Sequence, residues 1–127
     1  MTDKTLYWLE LAEYDLETAR SMLETGRYLY VGFMCHQVIE KTLKAVVSRT
    51  GETPPYIHNL SKLAELCDIY GRLDEGQKDL LDSLEPLNIQ ARYPEDKDRI
   101  FQSLNADRCR VLLAQTEGLY QWIKTTL

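Results

Sequence analysis

Polar side chains interrupt an apolar run in the first half of the chain, and their types could do chemistry. Residues 28–48 are compatible with a helix and rich in apolar residues, yet they include Gln37, Glu40, Lys41 and Lys44. A carboxylate beside two ammonium groups can form ion pairs, hold a phosphate or orient a partner. The sequence therefore places its first candidate binding residues on this helix.

The apolar residues of the same helix must pack against neighbours on two sides. At about 100° per residue, one set of side chains forms a stripe along the helix. The stripe consists of Val31, Cys35, Val38, Ile39, Thr42 and Val46, widened by Leu29, Phe33, Leu43 and Val47. Gln37, Glu40 and Lys44 fall on the remaining strip beside Phe33, where we expect a partner or a ligand to be met.

Two interpretations of this polar strip stay open. Glu40 and Lys44 are spaced i,i+4, so they could form an exposed pair worth only about 0.3–0.5 kcal/mol. Alternatively, Glu40, Lys41 and Lys44 face a cleft together with Arg92. In that arrangement they would hold a nucleotide phosphate.

The two histidines are alternative proton carriers, His36 at the edge of the apolar arc and His58 just before a predicted helix. Each also has a structural interpretation, as an interhelical hydrogen-bonding residue or as a partner for loop carbonyls. Without acidic residues at ligand spacing, two histidines make a poor metal site. We therefore predict no metal, and we assign no catalytic residue.

Composition predicts one cytoplasmic domain that spans residues 1–127. The chain is 44% hydrophobic and 28% charged, with a net charge of −5. That charge argues against a broad electrostatic footprint on nucleic acid but leaves room for a local basic patch. No apolar run reaches the roughly 18 residues of a membrane span, and the first residues lack a signal-peptide pattern.

Helical periodicity predicts an all-α fold. The predicted helices cover residues 3–25, 28–48, 59–71, 74–89 and 106–126, whereas residues 90–105 show no regular pattern. Thr2 or Asp3 can cap the first helix, Asn59 or Ser61 the third and Asp74 the fourth. Four of these helices are long enough to pack side by side. The expected architecture is an up-and-down four-helix bundle with an additional short helix.

Four motifs in order along the chain resemble the HEPN domain family. The first helix carries the family's opening pattern, and the 36–45 segment is similar to its "hQaiEKaLKA" core. The remaining pieces resemble its "P…H.L..L" step and its "aRYP" motif. In this sequence the four pieces are Trp8 with Ala12, Asp15, Leu16 and Ala19; His36 to Ala45; Pro54, Pro55, His58, Leu60 and Leu63; and Ala91, Arg92, Tyr93 and Pro94.

The resemblance implies a helical bundle that pairs as a homodimer. Members of the family stand alone, are fused to a minimal nucleotidyltransferase domain, or are encoded beside one as a toxin–antitoxin pair. The family was named for nucleotide binding. Some members are metal-independent ribonucleases with an Arg-x(4–6)-His motif at the dimer interface.

The ribonuclease motif is absent from this sequence. Neither histidine has an arginine at the required distance before it, and no histidine follows Arg92. We therefore expect a homodimeric binding and interaction protein without a cofactor. It would bind a nucleotide through Gln37, Glu40, Lys41, Lys44, Arg92 and Tyr93, or associate with a nucleotidyltransferase-type partner. The alternative is an unconventional ribonuclease in which Arg92 contacts phosphate and His36 or His58 carries the proton. A third possibility is a purely structural dimer within a larger assembly.

Arg92 and Tyr93 also have a structural interpretation. Pro94 forces Tyr93 into extended geometry, so the helix would end there and Tyr93 would fold onto the bundle. Arg92 would then point back at a carboxylate such as Glu40. For the dimer surface, the aromatic residues Tyr28, Tyr30 and Phe33 are candidates, because such side chains are common in interfaces. For Tyr28, packing in the core is an equal alternative.

Overall fold

Helices make up nearly all of the regular structure in the described part of the chain. The computed structural model describes residues 1–92 and 97–127, without the side chains of residues 90–92, 97, 100 and 101. The helices are α1 (Asp3–Glu24), α2 (Tyr28–Val47), α3 (Leu60–Leu66), α4 (Glu75–Arg92), α5 (Lys97–Ser103) and α6 (Ala106–Thr125). Short 3-10 turns follow α2 at Ser48–Thr50 and precede α4 at Tyr70–Arg72.

Local signals in the sequence set most helix ends. The Thr2 hydroxyl accepts a hydrogen bond from a first-turn backbone N–H and so caps α1. Gly26 follows α1 with φ +75°, a left-handed conformation that favours glycine. The Asn59 side chain caps α3. Asp74 and Gln77 exchange two side chain–backbone hydrogen bonds at the start of α4, a capping box.

Helix α2 is the central helix of the bundle. It packs against α1, α3, α4 and α6, and 14 of its 20 residues are buried. Its apolar stripe meets the bundle on more than one side, as its width predicted. The four long helices α1, α2, α4 and α6 form the helical bundle, and α3 and α5 are short additional helices. The predicted all-α class is confirmed.

Two parts of the helix prediction differ from the structure. The third helix ends at Leu66 rather than near Gly71, because Asp68 adopts φ +61° and turns the chain. In the segment predicted to be irregular, α4 continues to Arg92 and α5 follows. A helix as short as α5 carries only two turns of periodicity, too few for the pattern to stand out.

The apolar side chains of the long helices form one core. In the described ranges, no helix combines the length and the apolar character needed to cross a membrane. The three cysteines are buried free thiols. Burial raises the pKa of Cys35 to about 12, so this thiol stays protonated at neutral pH.

Candidate functional site

The carboxylate of Glu40 is the centre of a buried polar cluster between α2 and its neighbours. Lys44 Nζ lies 3.2 Å from Glu40 Oε2, one helical turn away. His58, in the loop before α3, places Nδ1 3.0 Å from Glu40 Oε1. His36 Nδ1 lies 3.8 Å from the same oxygen. Glu40 therefore joins α2 to the loop that leads into α3.

Glu85 extends this cluster from α4. Its Oε1 accepts a hydrogen bond from the backbone N–H of Leu60, the first residue of α3. The same oxygen lies 3.9 Å from His36 Nε2, so the His36 ring stands between two carboxylates. Burial raises the pKa of Glu85, the bond from Leu60 opposes that shift, and the negative charge of Glu40 adds to it.

The two candidate lysines of α2, Lys41 and Lys44, both contact α1. Lys44 Nζ lies 5.5 Å from the centre of the Trp8 ring, within the range of a cation–π contact. Lys41 forms an ion pair with Asp15. Both lysines thus tie α2 to α1. On the other side, Gln37 Nε2 donates to Asn88 Oδ1 of α4 at 3.3 Å.

Most of the predicted strip is inside the bundle rather than on an open cleft. Gln37 is 9% exposed, Glu40 4% and Lys44 5%. The sequence pattern could not show this, because the residues that cover the strip come from other helices. Burial favours protein groups as the partners of these side chains, since buried charges need close partners. Their role as ligand contacts stays a prediction.

The two remaining candidate ligand residues, Arg92 and Tyr93, lie at or beyond the edge of the described structure. Arg92 is the last residue of α4, and its side chain is not among those described. Tyr93 lies outside the described residues. The predicted contact of Arg92 with Glu40, the packing of Tyr93 onto the bundle and the role of both residues in ligand binding therefore stay predictions.

The two histidines differ in their access to solvent. The His36 side chain is 0% exposed, whereas that of His58 is 53% exposed. A proton carrier must come within hydrogen-bond reach of the substrate. The alternative ribonuclease hypothesis, which stays a prediction, would therefore depend on His58.

We expect the stability contribution of Glu85 to fall as the pH rises. A raised pKa in the folded state contributes stability below the unfolded pKa, and this is lost as the pH passes through the folded pKa. The side chain of Glu85→Gln cannot ionise. The free energy of unfolding of this variant, relative to that of the wild type, should therefore increase from about pH 4 toward neutrality. Urea denaturation across this pH range measures the difference.

The control is Glu10→Gln, an exposed position on α1. A pH-independent difference for Glu85→Gln would contradict this expectation.

An apolar groove lies toward the N-terminus of α2. It has a volume of about 550 Å³ and runs between the end of α1 and the start of α2. Its lining residues are Thr18, Met22, Thr25, Arg27, Tyr30, Phe33 and Met34. Tyr30 and Phe33 were predicted as candidates for a dimer surface, whereas the lining residues from α1 were missed. The spacing of Thr18, Met22 and Thr25 on one helical face was the signal that could have found them.

Comparison with known proteins agrees with this architecture. A crystal structure of TT1696 from Thermus thermophilus is similar, with a TM-score of 0.84 and 20% sequence identity. The alignment covers 99% of this chain and 100% of that chain. Identity at this level shows the shared fold alone. No curated protein sequence matches this chain significantly.

The family comparison covers almost the whole sequence. The model of the HEPN domain matches residues 5–126. The matched region includes nearly all of the helical structure described above, the buried cluster around Glu40 and the apolar groove. This chain belongs to the HEPN domain family.

Proposed function

We propose that this chain is a protein-interaction module that binds a partner chain through the groove between α1 and α2. The groove itself carries the proposal. It combines a volume of about 550 Å³ with a lining of methionine and aromatic side chains, among which Tyr30 is exposed. Concave apolar surfaces of this kind are typical of binding sites.

The buried polar cluster supports a structural role beside the groove. Opening the strip to a ligand would separate Lys44 from Glu40, and an uncompensated buried charge is costly. The groove needs no such rearrangement. We therefore assign binding to the N-terminal half of α2 and positioning of the helices to its C-terminal half. Nucleotide binding by the strip is the weaker of the two binding hypotheses.

Family membership gives two kinds of partner to consider. One is a second copy of this chain, because the family resemblance implies pairing as a homodimer. The other is a nucleotidyltransferase-type protein, because the family resemblance implies such partners for members of the family. Either partner would bury apolar surface that the monomer leaves exposed. Burial of apolar surface favours association by about 25 cal/mol for each Å².

Met34→Glu should abolish association through the groove, because it places a charge where apolar side chains must be buried. Light scattering over a wide range of protein concentration measures self-association. Co-purification measures binding to the nucleotidyltransferase-type protein. We expect the wild type to form at least one of these complexes and the variant to lose it.

The matched control is Val111→Glu, which changes an exposed apolar residue on α6. This variant should associate like the wild type. Urea denaturation of both variants checks that each remains folded. The proposal fails if the wild type forms neither complex, or if Met34→Glu associates as well as the wild type.

A further inference from the structure

Arg27 lies at one end of the groove, in the short connection between α1 and α2. It is exposed and lines the groove beside apolar side chains. Other arginines have acidic partners: Arg20 pairs with Glu17 and Glu117, and Arg110 pairs with Asp107. Across residues 1–92 and 97–127, no ion pair or hydrogen bond is seen for the Arg27 side chain. Among the residues that the structure describes, the five donors of its guanidinium therefore have no side-chain acceptor.

The charge of the groove is not complementary to itself. Its lining supplies one cation, two threonine hydroxyls and apolar side chains, but no carboxylate among the described residues. In a two-fold symmetric dimer the same patch meets its own copy, so the described lining of a second groove would offer Arg27 no anion. An occupant with a carboxylate would satisfy the guanidinium, since bidentate Arg–carboxylate pairs are strong.

The shape of the groove suits a helix. Its walls are two antiparallel helices, and Thr18, Met22 and Thr25 follow one another at i, i+4 and i+7 along α1. These three residues span about 10 Å, or two helical turns. Helices docked in such grooves insert apolar side chains at the same spacing. The flexible side chains of Met22 and Met34 can adapt to different apolar anchors.

We propose that the groove receives an amphipathic helix of a different protein, with apolar side chains against Met22 and Met34 and a carboxylate on Arg27. This inference rests on the proposed function, because it names the class of partner for the same groove. The partner is defined by its chemistry: two turns of helix, apolar residues on one face, and an acidic residue at the end that meets Arg27.

The test uses a synthetic peptide with this chemistry. The peptide is stapled to remain helical, because short free helices are marginal in water. It carries leucines at i, i+4 and i+7 and a glutamate at one end, and a second peptide carries lysine in place of the glutamate. The full-length protein is labelled with ¹³C at its methionine methyl groups. With three methionines, the groove residues Met22 and Met34 report binding, and the exposed Met1 serves as the internal reference.

We expect the acidic peptide to shift the signals of Met22 and Met34 but not that of Met1. Arg27→Glu should weaken binding of this peptide by about tenfold or more and strengthen binding of the lysine peptide. Arg110→Glu, an exposed charge reversal on α6, should leave both affinities unchanged. Equal binding of the two peptides by the wild type, or no shift of Met22 and Met34, overturns the inference.

Self-association separates this inference from the proposed function. If the wild type is a dimer, Met34→Glu is a monomer and the acidic peptide does not bind, then a second copy occupies the groove. That result overturns the acidic-helix partner and leaves the interaction module intact. If Met34→Glu changes no association and neither peptide binds, both proposals fail.

Discussion

Replacing Glu40 with alanine is expected to lower the free energy of unfolding by about 3–5 kcal/mol. The carboxylate is buried and lies within 3.2 Å of Lys44 and 3.0 Å of His58. Its removal leaves the ammonium group of Lys44 in the bundle without its partner, and it frees the loop before α3 from α2. Urea denaturation at neutral pH, followed by circular dichroism, measures the loss.

An exposed pair provides the control for this prediction. Glu75 and Lys78 form an i,i+3 pair at the start of α4, and Glu75 is largely exposed. Glu75→Ala should change the free energy of unfolding by only about 0.5 kcal/mol. The double replacement Glu40→Leu with Lys44→Met should recover much of the loss, because no unpaired charge remains. A Glu40→Ala variant as stable as Glu75→Ala would contradict a buried ion pair.

Replacing Leu84 with alanine is expected to cost about 2–5 kcal/mol. Leu84 lies on α4 and is 0% exposed in the core. The shorter side chain loses its transfer free energy and leaves a cavity that the surrounding helices fill only in part. The midpoint of urea denaturation should fall while its slope stays the same, because the surface exposed on unfolding is nearly unchanged.

Ile89 on the same helix is the matched comparison. It is also a large aliphatic residue, but 62% of it is exposed. Ile89→Ala should therefore change the free energy of unfolding by about 0.5 kcal/mol or less. Equal losses for the two variants would mean that α4 packs with a different face toward the core.

The two halves of helix α2 have different surroundings. In the C-terminal half, Glu40 and Lys44 hold α1, α2 and the loop before α3 together through buried polar contacts. In the N-terminal half, Tyr30 and Met34 line the groove. A rigid helix that is fixed at one end can present a preformed surface at the other, which lowers the cost of ordering on binding.

Ile89 also shows where the sequence pattern reaches its limit. Leu84 and Ile89 are both large aliphatic residues of the fourth predicted helix, yet of these two only Leu84 reaches the core. Val111 on α6 is a similar case, since it is an aliphatic residue that is half exposed. Periodicity identifies a helix and the approximate direction of its apolar side, but the edge of the buried face depends on the neighbouring helices.

The sequence by itself determined the four long helices, most of the helix caps and the family. These features follow from local chemistry: Thr2, Asn59 and Asp74 bond to backbone groups within one turn. Only the tertiary structure decided what surrounds the polar strip. His58 and Glu85 reach Glu40 and His36 from distant positions along the chain, and no local pattern fixes such contacts. Packing therefore made the strip a buried cluster and left the groove exposed.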